Sequence, residues 1–334
     1  MLTGLRCFGS RGRAEIGRLK CHGCSVVFSL EVDDLEGMVV NVQKGLYTVE
    51  SNGCSDLVSC TLRKKLLNQS RTAKNLVVVG DVVEFEPVLG GKGVITSIKQ
   101  RKTRLVRRGA GKRGMHLEQI LAANIDIAIL VFAVKDPPYN ISLVERYICS
   151  AESGGIEPVV CFNKIDLVNP ASIEQDVSLL RKNGIRVLLT STLAGNGLED
   201  LRAIVQDRVV VFAGSSGVGK SSLVNSLLSS SVTKTGEVSA SHHKGKNTTT
   251  SSQMYTLPFG GKVIDIPGMR EFGLFSDDHA VEKAFPDIER IAEGCRFRDC
   301  SHRHEPDCAV KEAVASGEID ERRFRNYQKL TARG

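Results

Sequence analysis

A phosphate-binding loop is the sequence feature that most restricts how this chain folds. Residues Gly214–Ser221 read GSSGVGKS, which fits the pattern G-x-x-x-x-G-K-[ST]. The apolar run Val209–Phe212 before the loop predicts a strand, and apolar residues recur at helical spacing from Leu223 to Leu228 after it. A strand, this loop and a helix in succession indicate an α/β nucleotide-binding fold built on a parallel sheet.

The residue types of this loop are those that phosphate binding requires. Glycines let backbone N–H groups turn toward phosphate oxygens, the Lys220 ammonium reaches the β- and γ-phosphates, and the Ser221 hydroxyl binds Mg²⁺. The alternative, a Gly/Ser-rich turn without a ligand, is disfavoured by the flanking strand and helix. The residues that we predict to bind phosphates are Gly214, Ser215, Ser216, Gly217, Val218, Gly219, Lys220, Ser221 and Ser222.

A second motif, N-K-x-D, follows the apolar strand Val159–Phe162 and predicts the choice of base. The Asp166 carboxylate can accept hydrogen bonds from guanine N1–H and the guanine 2-amino group, a donor pair that adenine lacks. Asn163 would connect this loop to the phosphate loop, and the aliphatic part of Lys164 would cover the base. The motif therefore predicts selection of GTP over ATP.

A second base-contacting loop is expected after the strand Val187–Leu189. Ser191 occupies the position at which we predict this contact. The sequence there is Ser191-Thr192, whereas Ser-Ala is usual in GTPases, and this departure weakens the assignment.

Two further segments fit a magnesium ion and the γ-phosphate. Asp265-Ile266-Pro267-Gly268 fits the pattern D-x-x-G, in which Asp265 contacts Mg²⁺ through water and the Gly268 N–H contacts the γ-phosphate. The run Thr248-Thr249-Thr250 lies between this motif and the phosphate loop, and we favour Thr249 as a magnesium ligand beside Ser221 and Asp265. Each segment alone is compatible with an ordinary loop, and the phosphate loop nearby makes both more specific.

The order of these motifs predicts a circular permutation. In an ordinary GTPase the base motif follows the phosphate loop, whereas here Asn163 precedes Gly214. Permutation places the two switch segments directly before the C-terminal part of the chain, which can then respond to the nucleotide state. Met269 follows the D-x-x-G motif where many GTPases have a Gln that orients the attacking water, so we expect slow intrinsic hydrolysis that depends on a partner. The group that activates the water is not assigned by the sequence.

A cluster of cysteine and histidine residues near the C-terminus predicts a metal site. Cys295, Cys300, His302 and Cys308 have the spacing C-x4-C-x-H-x5-C, and three thiolates with one imidazole suit a closed tetrahedral Zn²⁺ site. His304 is a rival ligand, and free thiols are the alternative interpretation. Cys21 and Cys24 also form a C-x-x-C pair, but no second pair follows at finger spacing, so we do not predict a metal there.

The N-terminal part reads as a small β-barrel, and the basic residues suggest a nucleic-acid partner. Five short apolar strands separated by turn residues lie between about residues 35 and 106. The chain has 45 Lys and Arg against 38 Asp and Glu, and residues 99–113 contain eight basic residues and no acidic one. This run fits contact with a phosphate backbone, although a solvated linker is the alternative. The further basic residues near the C-terminus are Arg322, Arg323, Arg325, Lys329 and Arg333.

The combination of parts resembles the small-ribosomal-subunit-dependent, circularly permuted GTPase family of bacteria and plastids, the RsgA/YjeQ type of ribosome biogenesis GTPase. The resemblance covers about residues 35 to 332 and includes the zinc spacing and the motif order. The matching segments are GDVVEFEP (Gly80–Pro87), NKID, GSSGVGKSS, TTT, DIPGMREFGL (Asp265–Leu274) and CRFRDCSH (Cys295–His302).

The resemblance implies an α/β fold in three parts after a basic N-terminal extension. It implies an OB-fold, RNA-binding β-barrel at 35–106, a circularly permuted P-loop GTPase domain at 107–274 and a helical zinc-binding module at 275–334. The extension, residues 1–34, is compatible with a loose, disordered segment, which its composition favours, and with a transit peptide. No apolar run reaches the length of a membrane span.

The resemblance also implies a function. It implies hydrolysis of GTP to GDP and phosphate, stimulated by the small ribosomal subunit during late maturation, with contacts to ribosomal RNA. One structural Zn²⁺ and a Mg²⁺ bound with GTP are the implied cofactors, and we expect a cytoplasmic monomer without a membrane partner, with a plastid location as the alternative. Family members often carry His before the threonines, where this chain has Asn247. The alternatives are a GTP-regulated RNA-binding scaffold with little turnover and a GTPase that serves another partner.

Overall fold

The computed structural model divides into two compact units, one on each side of the bond between Arg101 and Lys102. Among the residues that the structure describes, no helix is both long and apolar enough to cross a membrane. The residues that the structure describes are 14–21, 24–31, 35–43, 45–52, 57–69, 76–88, 91–108, 118–229, 252–266, 281 and 283–331.

Two strands near the N-terminus form an antiparallel hairpin that the sequence analysis does not predict. Strand β1 (Ala14–Cys21) pairs with β2 (Cys24–Glu31), and the register places Cys21 opposite Cys24. Val26, Phe28 and Leu30 recur at every second position of β2, the period that gives a strand one apolar face. The alternation is visible in the sequence, but the basic composition of residues 1–34 favoured a loose segment over a strand.

Five strands of the first unit close into a barrel, as the sequence predicts. The strands are β3 (Leu35–Gln43), β4 (Leu46–Ser51), β5 (Leu57–Leu62), β6 (Val82–Val88) and β7 (Lys92–Ile98). Their order is β3-β4-β5-β7-β6, and β6 pairs again with β3, which closes the sheet. Strands β5 and β7 are parallel and the other pairs are antiparallel, an arrangement typical of the OB-fold. Val39, Phe85 and Ile95 are among the fully buried residues of its core.

A short helix and a buried ion pair complete the barrel, and neither is predicted from the sequence. Helix α1 (Lys64–Gln69) lies between β5 and β6. The Arg101 guanidinium donates to both carboxylate oxygens of the fully buried Asp81, at 2.7 and 2.8 Å. Lys99 forms an ion pair with Glu84. Lys99 and Arg101, part of the basic run at 99–113, therefore pair with carboxylates of the barrel, and residues 109–113 lie outside the described ranges.

The second unit contains a parallel sheet, which confirms the prediction from its apolar runs. Its strands are β8 (Arg104–Arg108), β9 (Glu118–Ala123), β10 (Ile127–Ala133), β11 (Glu157–Asn163), β12 (Arg186–Thr190), β13 (Val209–Ala213), β14 (Gln253–Thr256) and β15 (Lys262–Asp265). Strands β8 and β9 form an antiparallel hairpin, and the sheet has the order β12-β11-β10-β13-β15-β14. All its neighbours are parallel except β14 and β15. All seven residues of β10 are buried, as expected for a strand covered on both faces.

Helices follow the parallel strands and bring the sheet's carboxyl ends to one edge. They are α2 (Ile141–Ser153), α3 (Glu174–Lys182), α4 (Leu198–Val205) and α5 (Lys220–Ser229), with 3₁₀ turns at Ile165–Leu167 and Pro170–Ser172. Leu223 and Leu227 of α5 are buried in the core, which confirms the helix predicted after the phosphate loop. Ligands of such sheets bind beyond the carboxyl ends of the strands.

The C-terminal segment is helical, as predicted, and Cys295 to Cys308 separates its first two helices. The helices are α6 (Pro286–Ala292), α7 (Ala309–Ala315) and α8 (Glu321–Thr331). Arg323 of α8 is only 2% exposed, and its guanidinium donates to Glu145 of α2 at 2.8 Å and to Asp287 of α6 at 2.8 Å. The same guanidinium lies over the Phe285 ring. The grouping of Arg323 with RNA-contacting residues is therefore wrong, because its charge is buried and paired.

Candidate functional site

Four strands end beside one another where the predicted nucleotide motifs begin. Asn163 ends β11, Thr190 ends β12, Ala213 ends β13 and Asp265 ends β15. The parallel register pairs Asn163 with Thr190, so the base motif and the second base loop are adjacent. The fold therefore gathers motifs as distant as Asn163 and Asp265 at one edge of the sheet.

Two glycines of the phosphate loop occupy positions that no other residue fits. Gly214 has φ +149°, and a Cβ there would lie 2.2 Å from the Val131 carbonyl oxygen. Gly219 has φ +99°, and a Cβ there would lie 2.2 Å from the Asn163 side-chain nitrogen. Real Cβ atoms do not approach so closely, so the backbone of this loop is shaped by its contacts with β10 and with the base motif.

Lys220 and Ser221 begin helix α5 and face a cleft that also contains Asp265. The Lys220 Nζ donates to the carbonyl oxygens of Gly214 and Ser215, each at 2.7 Å, which holds the ammonium against the loop. The N-terminus of α5 adds a favourable dipole for an anion. Lys220, Ser221 and Asp265 thus line one cleft, the arrangement that a phosphate–magnesium site requires.

Asn163 physically joins the base motif to the phosphate loop. Its side-chain amide Nδ2 donates to the Val218 carbonyl oxygen at 2.9 Å, and its Oδ1 accepts a hydrogen bond from the Thr190 hydroxyl at 3.0 Å. The Cys161 sulfur lies 3.2 Å from that hydroxyl. Asn163 and Thr190 are both buried, so the amide orientation is fixed by two partners away from water. Thr190 belongs to the segment Thr190-Ser191-Thr192 in which the sequence predicts the second base contact, but its hydrogen bond to Asn163 is not predictable from the sequence.

Lys164 and Asp166 lie on a tight turn at the edge of this site. Lys164 has φ +64°, and its ammonium donates to the Asp136 carbonyl oxygen in the loop after β10. Asp166 sits in the 3₁₀ turn Ile165–Leu167 and is exposed. The carboxylate is therefore accessible to a ligand on the outer side of the loop.

Ser191 is buried, and its side chain serves its own loop. The Ser191 hydroxyl oxygen accepts a hydrogen bond from the Ala194 N–H at 3.0 Å, and its backbone N–H donates to the Asn196 carbonyl at 3.1 Å. Gly197 permits the close return of this loop, since a Cβ there would lie 2.1 Å from the Leu189 carbonyl oxygen. The loop thus uses the Ser191 hydroxyl as an acceptor, which leaves the loop backbone and the hydroxyl hydrogen for a contact with a base.

Several predicted residues lie outside the described part of the chain. These are Asn247, Thr248, Thr249 and Thr250, together with Gly268 and Met269. Of the three predicted magnesium ligands, Ser221 and Asp265 lie in the described part of the chain and line the same cleft. Thr249 remains a prediction.

The cysteine and histidine cluster has the dimensions of a tetrahedral metal site. The ligand atoms of Cys295, Cys300, His302 and Cys308 all lie within 4.8 Å of one another. His302 Nδ1 is 3.3 Å from the Cys308 sulfur and 3.6 Å from the Cys295 sulfur, and those two sulfurs are 3.9 Å apart. A tetrahedral Zn²⁺ with bonds of about 2.0–2.3 Å needs ligand separations of about 3.4–3.8 Å. These residues therefore fit a metal ion, and His302 presents Nδ1 to it.

Glu305 organises the loop that carries His302. Its carboxylate accepts hydrogen bonds from the Ser301 hydroxyl at 2.6 Å and from the backbone N–H groups of Ser301, Arg303 and His304. The Ser301 hydrogen bond and these N–H groups lower the pKa of Glu305 well below its usual value. Burial lowers the pKa of His302, which favours the neutral imidazole that a metal requires. His304 is exposed and lies outside the cluster, so the structure favours His302 over its rival.

The buried carboxylate of Glu145 fixes α8 to α2. In addition to Arg323, Asn326 of α8 donates its amide to Glu145 at 2.6 Å. Burial raises the pKa of Glu145 to about 7, and the Arg323 charge with the hydrogen bonds from Asn326 and Arg323 opposes this effect only in part. The network joins residues about 180 apart in sequence, and no local pattern could have indicated it.

Comparison with known proteins identifies the family. A family model described as RsgA GTPase matches residues 98–275. The small ribosomal subunit biogenesis GTPase RsgA of Chlorobaculum tepidum is 40% identical over 305 residues, which cover 89% of this chain and 97% of the relative. The chain belongs to the RsgA GTPase family. The RsgA of Caldanaerobacter subterraneus is 36% identical over 299 residues, with 90% of this chain and 95% of the relative covered.

Solved structures of RsgA-type proteins have the same fold. The crystal structure of YjeQ from Thermotoga maritima has a TM-score of 0.69 and 32% identity, and the match covers 89% of this chain and 97% of that one. YloQ, described as a circularly permuted GTPase, has a TM-score of 0.67 and 28% identity, with 90% and 95% covered. The circular permutation predicted from the motif order is confirmed, and as a member of the RsgA GTPase family the chain is a GTP hydrolase.

Proposed function

We propose that this chain binds the small ribosomal subunit and hydrolyses GTP to GDP and phosphate during late maturation of that subunit. The observation that carries the proposal is the match to the Chlorobaculum tepidum RsgA, which is named for small-subunit biogenesis and of which 97% is covered. The hydrogen bond from Asn163 to Val218 supports it independently, because it couples a guanine motif to a phosphate loop.

In this proposal, each part of the site contacts a different part of GTP. Asp166 selects guanine, Lys164 covers the base, and the loop at Ser191 completes its pocket. Residues 214–222 bind the phosphates, and the Gly268 N–H contacts the γ-phosphate. Asn163 keeps the base and phosphate loops in register, and the second hydrogen of its amide remains available to the nucleotide.

Ser221, Asp265 and Thr249 would hold the Mg²⁺, which neutralises charge on the β- and γ-phosphates when it is bound. Met269 has no side-chain donor and only a weakly accepting sulfur, so it cannot orient water as Gln does, and Asn247 stands where family members often carry His. We therefore propose that the isolated protein hydrolyses GTP slowly and that a group on the ribosomal subunit assists the reaction.

Cys295, Cys300, His302 and Cys308 would hold one Zn²⁺ with a structural role, since all four positions of a tetrahedral site are filled by protein atoms. A closed site leaves no position for substrate. The ion would fix the segment between α6 and α7, which has few buried apolar side chains of its own.

The metal loop and the barrel are the parts that we propose to contact ribosomal RNA. The loop exposes Phe297, which is 41% accessible, between the exposed Arg296 and Arg298. An exposed aromatic ring next to guanidinium groups suits stacking on unpaired bases and contact with phosphates. We propose a cytoplasmic monomer that works without a membrane; a plastid is the alternative location.

Co-sedimentation with purified ribosomal subunits tests this proposal. The protein should pellet with small subunits in the presence of a non-hydrolysable GTP analogue, and much less with GDP or with large subunits. Equal pelleting with both nucleotides would favour the alternative, an RNA-binding scaffold with little turnover. Failure to pellet with small subunits in any nucleotide state would contradict the proposed partner.

A further inference from the structure

We propose that Tyr139 is a positioning residue for guanine recognition, and that Arg322 of α8 sets its position through Asp176. The proposal rests on the proposed function, because it concerns the base site of the same GTPase. It assigns a role in nucleotide selection to a helix that belongs to the metal-binding end of the chain.

The segment that contains Tyr139 contacts both nucleotide motifs. After β10, the Val134 N–H donates to the Asn163 carbonyl at 3.0 Å, and the Asp136 carbonyl accepts the Lys164 ammonium. On its other side, a Cβ built on Gly217 of the phosphate loop would lie 3.7 Å from the Pro137 ring. Residues 134–140 therefore form a wall shared by the base motif and the phosphate loop.

Tyr139 fastens this wall to the strand that carries the base motif. Its ring packs on Phe162 with 4.7 Å between centroids, and the fully buried Phe162 directly precedes Asn163. The Tyr139 hydroxyl donates to one oxygen of Asp176 on α3 at 2.7 Å. Burial and this carboxylate raise the pKa of Tyr139, so the hydroxyl stays protonated and remains a donor.

The other oxygen of Asp176 is held by the C-terminal helix. It accepts a hydrogen bond from the Arg322 guanidinium at 3.1 Å, while the Asp176 side chain is only 14% exposed. The adjacent Arg323 and the nearby Asn326 hold α8 against α2 by binding Glu145. The backbone that carries Arg322 is therefore fixed relative to Asp176. The contacts thus run without a gap from α8 through Asp176 and Tyr139 to Phe162 and the base motif.

This chain of contacts matters because base selection depends on fine placement. Asp166 discriminates guanine through two hydrogen bonds in the plane of the base, and such bonds weaken steeply when donor and acceptor are displaced. Because α8 helps to position the loop that carries Asp166, a change in α8 alters the affinity for guanine. By linkage, guanine binding alters how α8 docks on the domain. The phosphate contacts, which the loop at 214–222 makes, would be little affected.

The test compares dissociation constants for GDP and for IDP, whose base lacks the 2-amino group. Both are measured for the full-length protein, for Tyr139→Phe, for Arg322→Ala and for the double variant. We expect Tyr139→Phe to reduce the preference for GDP over IDP about three- to tenfold, the effect of one hydrogen bond, with a smaller loss of IDP affinity because hypoxanthine keeps the N1–H that Asp166 accepts. Arg322→Ala should reduce it less, and the double variant should not exceed Tyr139→Phe, because both act on the same contact.

Arg325→Ala is the matched control. Arg325 is an exposed arginine on the same helix, and its ion pair is with Glu321 one turn away. The control should keep the wild-type preference for GDP. Asp176→Asn provides a second route to the same contact and should reduce the preference as well.

Three results would overturn the proposal. An unchanged GDP-to-IDP preference in both Tyr139→Phe and Asp176→Asn would show that this contact does not position the base site. An equal loss of GDP and IDP affinity would assign Tyr139 a general structural role. Additive effects of Tyr139→Phe and Arg322→Ala would show that Arg322 of α8 does not act through Tyr139. A wild-type protein that does not prefer guanine nucleotides would instead contradict the proposed function itself.

Discussion

Asn163 donates its side-chain amide to the backbone carbonyl of Val218 at 2.9 Å, a hydrogen bond that spans 55 residues of the chain. It ties the guanine motif to the phosphate loop without using any ligand atom. The Thr190 hydroxyl holds the opposite end of the same amide, so Asn163 has one orientation available. The N-K-x-D motif and the phosphate-loop motif are therefore held together by a buried hydrogen bond.

Removing the Thr190 hydroxyl should loosen this connection. Thr190→Val keeps the shape of the side chain but leaves the buried Asn163 oxygen without its donor, which costs about 1–3 kcal/mol. We expect lower thermal stability and weaker GDP binding, measured by calorimetry and by fluorescent-nucleotide titration. Thr190→Ser restores the hydroxyl and should recover most of the affinity; equal losses in both variants would assign the effect to packing alone.

A single substitution at Asp166 should change the preferred base. Asp166→Asn replaces one acceptor oxygen by an amide donor, which suits the 2-carbonyl of xanthine and repels the 2-amino group of guanine. The expected result is a switch in preference from GDP to XDP in competition binding. If the variant retains the wild-type guanine preference, Asp166 is not the base-selecting residue.

The buried Glu145 predicts a pH dependence of folding stability. Because its pKa is raised from 4.5 to about 7, the native state binds more protons than the unfolded state between these values. The contribution of Glu145 to the free energy of unfolding therefore falls as the pH rises through this window, by about 3 kcal/mol. Urea unfolding of the wild type and of Glu145→Gln at pH 5 to 8 measures this difference.

The Gln variant has no carboxylate to ionise, so its stability relative to the wild type should improve steadily as the pH rises to about 7 and then level off. Taking the difference between the two proteins cancels the titration of other groups. Glu157→Gln, which removes an exposed carboxylate paired with Arg186, serves as the control and should show no such trend. A pH-independent difference between wild type and Glu145→Gln would refute the assignment.

Substitutions at the metal cluster should weaken zinc binding to different degrees, more for a ligand than for a residue that supports the ligand loop. Cys308→Ser removes a ligand and should abolish stoichiometric zinc, measured by native mass spectrometry, and lower the melting temperature. Glu305→Ala removes the acceptor that orders the His302 loop and should weaken zinc binding about 10- to 100-fold in chelator competition. His304→Ala should retain full affinity, and loss of zinc in that variant would indicate that His304 is the true ligand.

The sequence predicted the elements whose signals are local. Strand β10 is a continuous apolar run, and the phosphate loop combines a motif with a flanking strand and helix, so both were readable without the fold. Strand β14 has only four residues and a mixed burial pattern, which is too little signal for a prediction. Helix α1, six residues long, was missed for a similar reason.

The contacts that were missed depend on how distant segments are brought together. Thr190 meets Asn163 only because β11 and β12 are in a particular register. Arg323 looks like its basic neighbours in sequence, and its burial follows from the docking of α8 on Glu145, 178 residues away. His302 was the ligand that the sequence predicted, with His304 as its rival, and the geometry of the cluster agrees with His302.

GTP turnover by the purified protein, alone and with small or large ribosomal subunits, tests the central claim most directly. ATP as substrate and Lys220→Ala as the variant without phosphate binding provide the controls. The account predicts slow hydrolysis by the protein alone, strong stimulation by small subunits only, and no activity in either control. Tight GTP binding without stimulation by either subunit would contradict it, and would instead indicate that Asn247 and Met269 mark a site that binds GTP without efficient turnover.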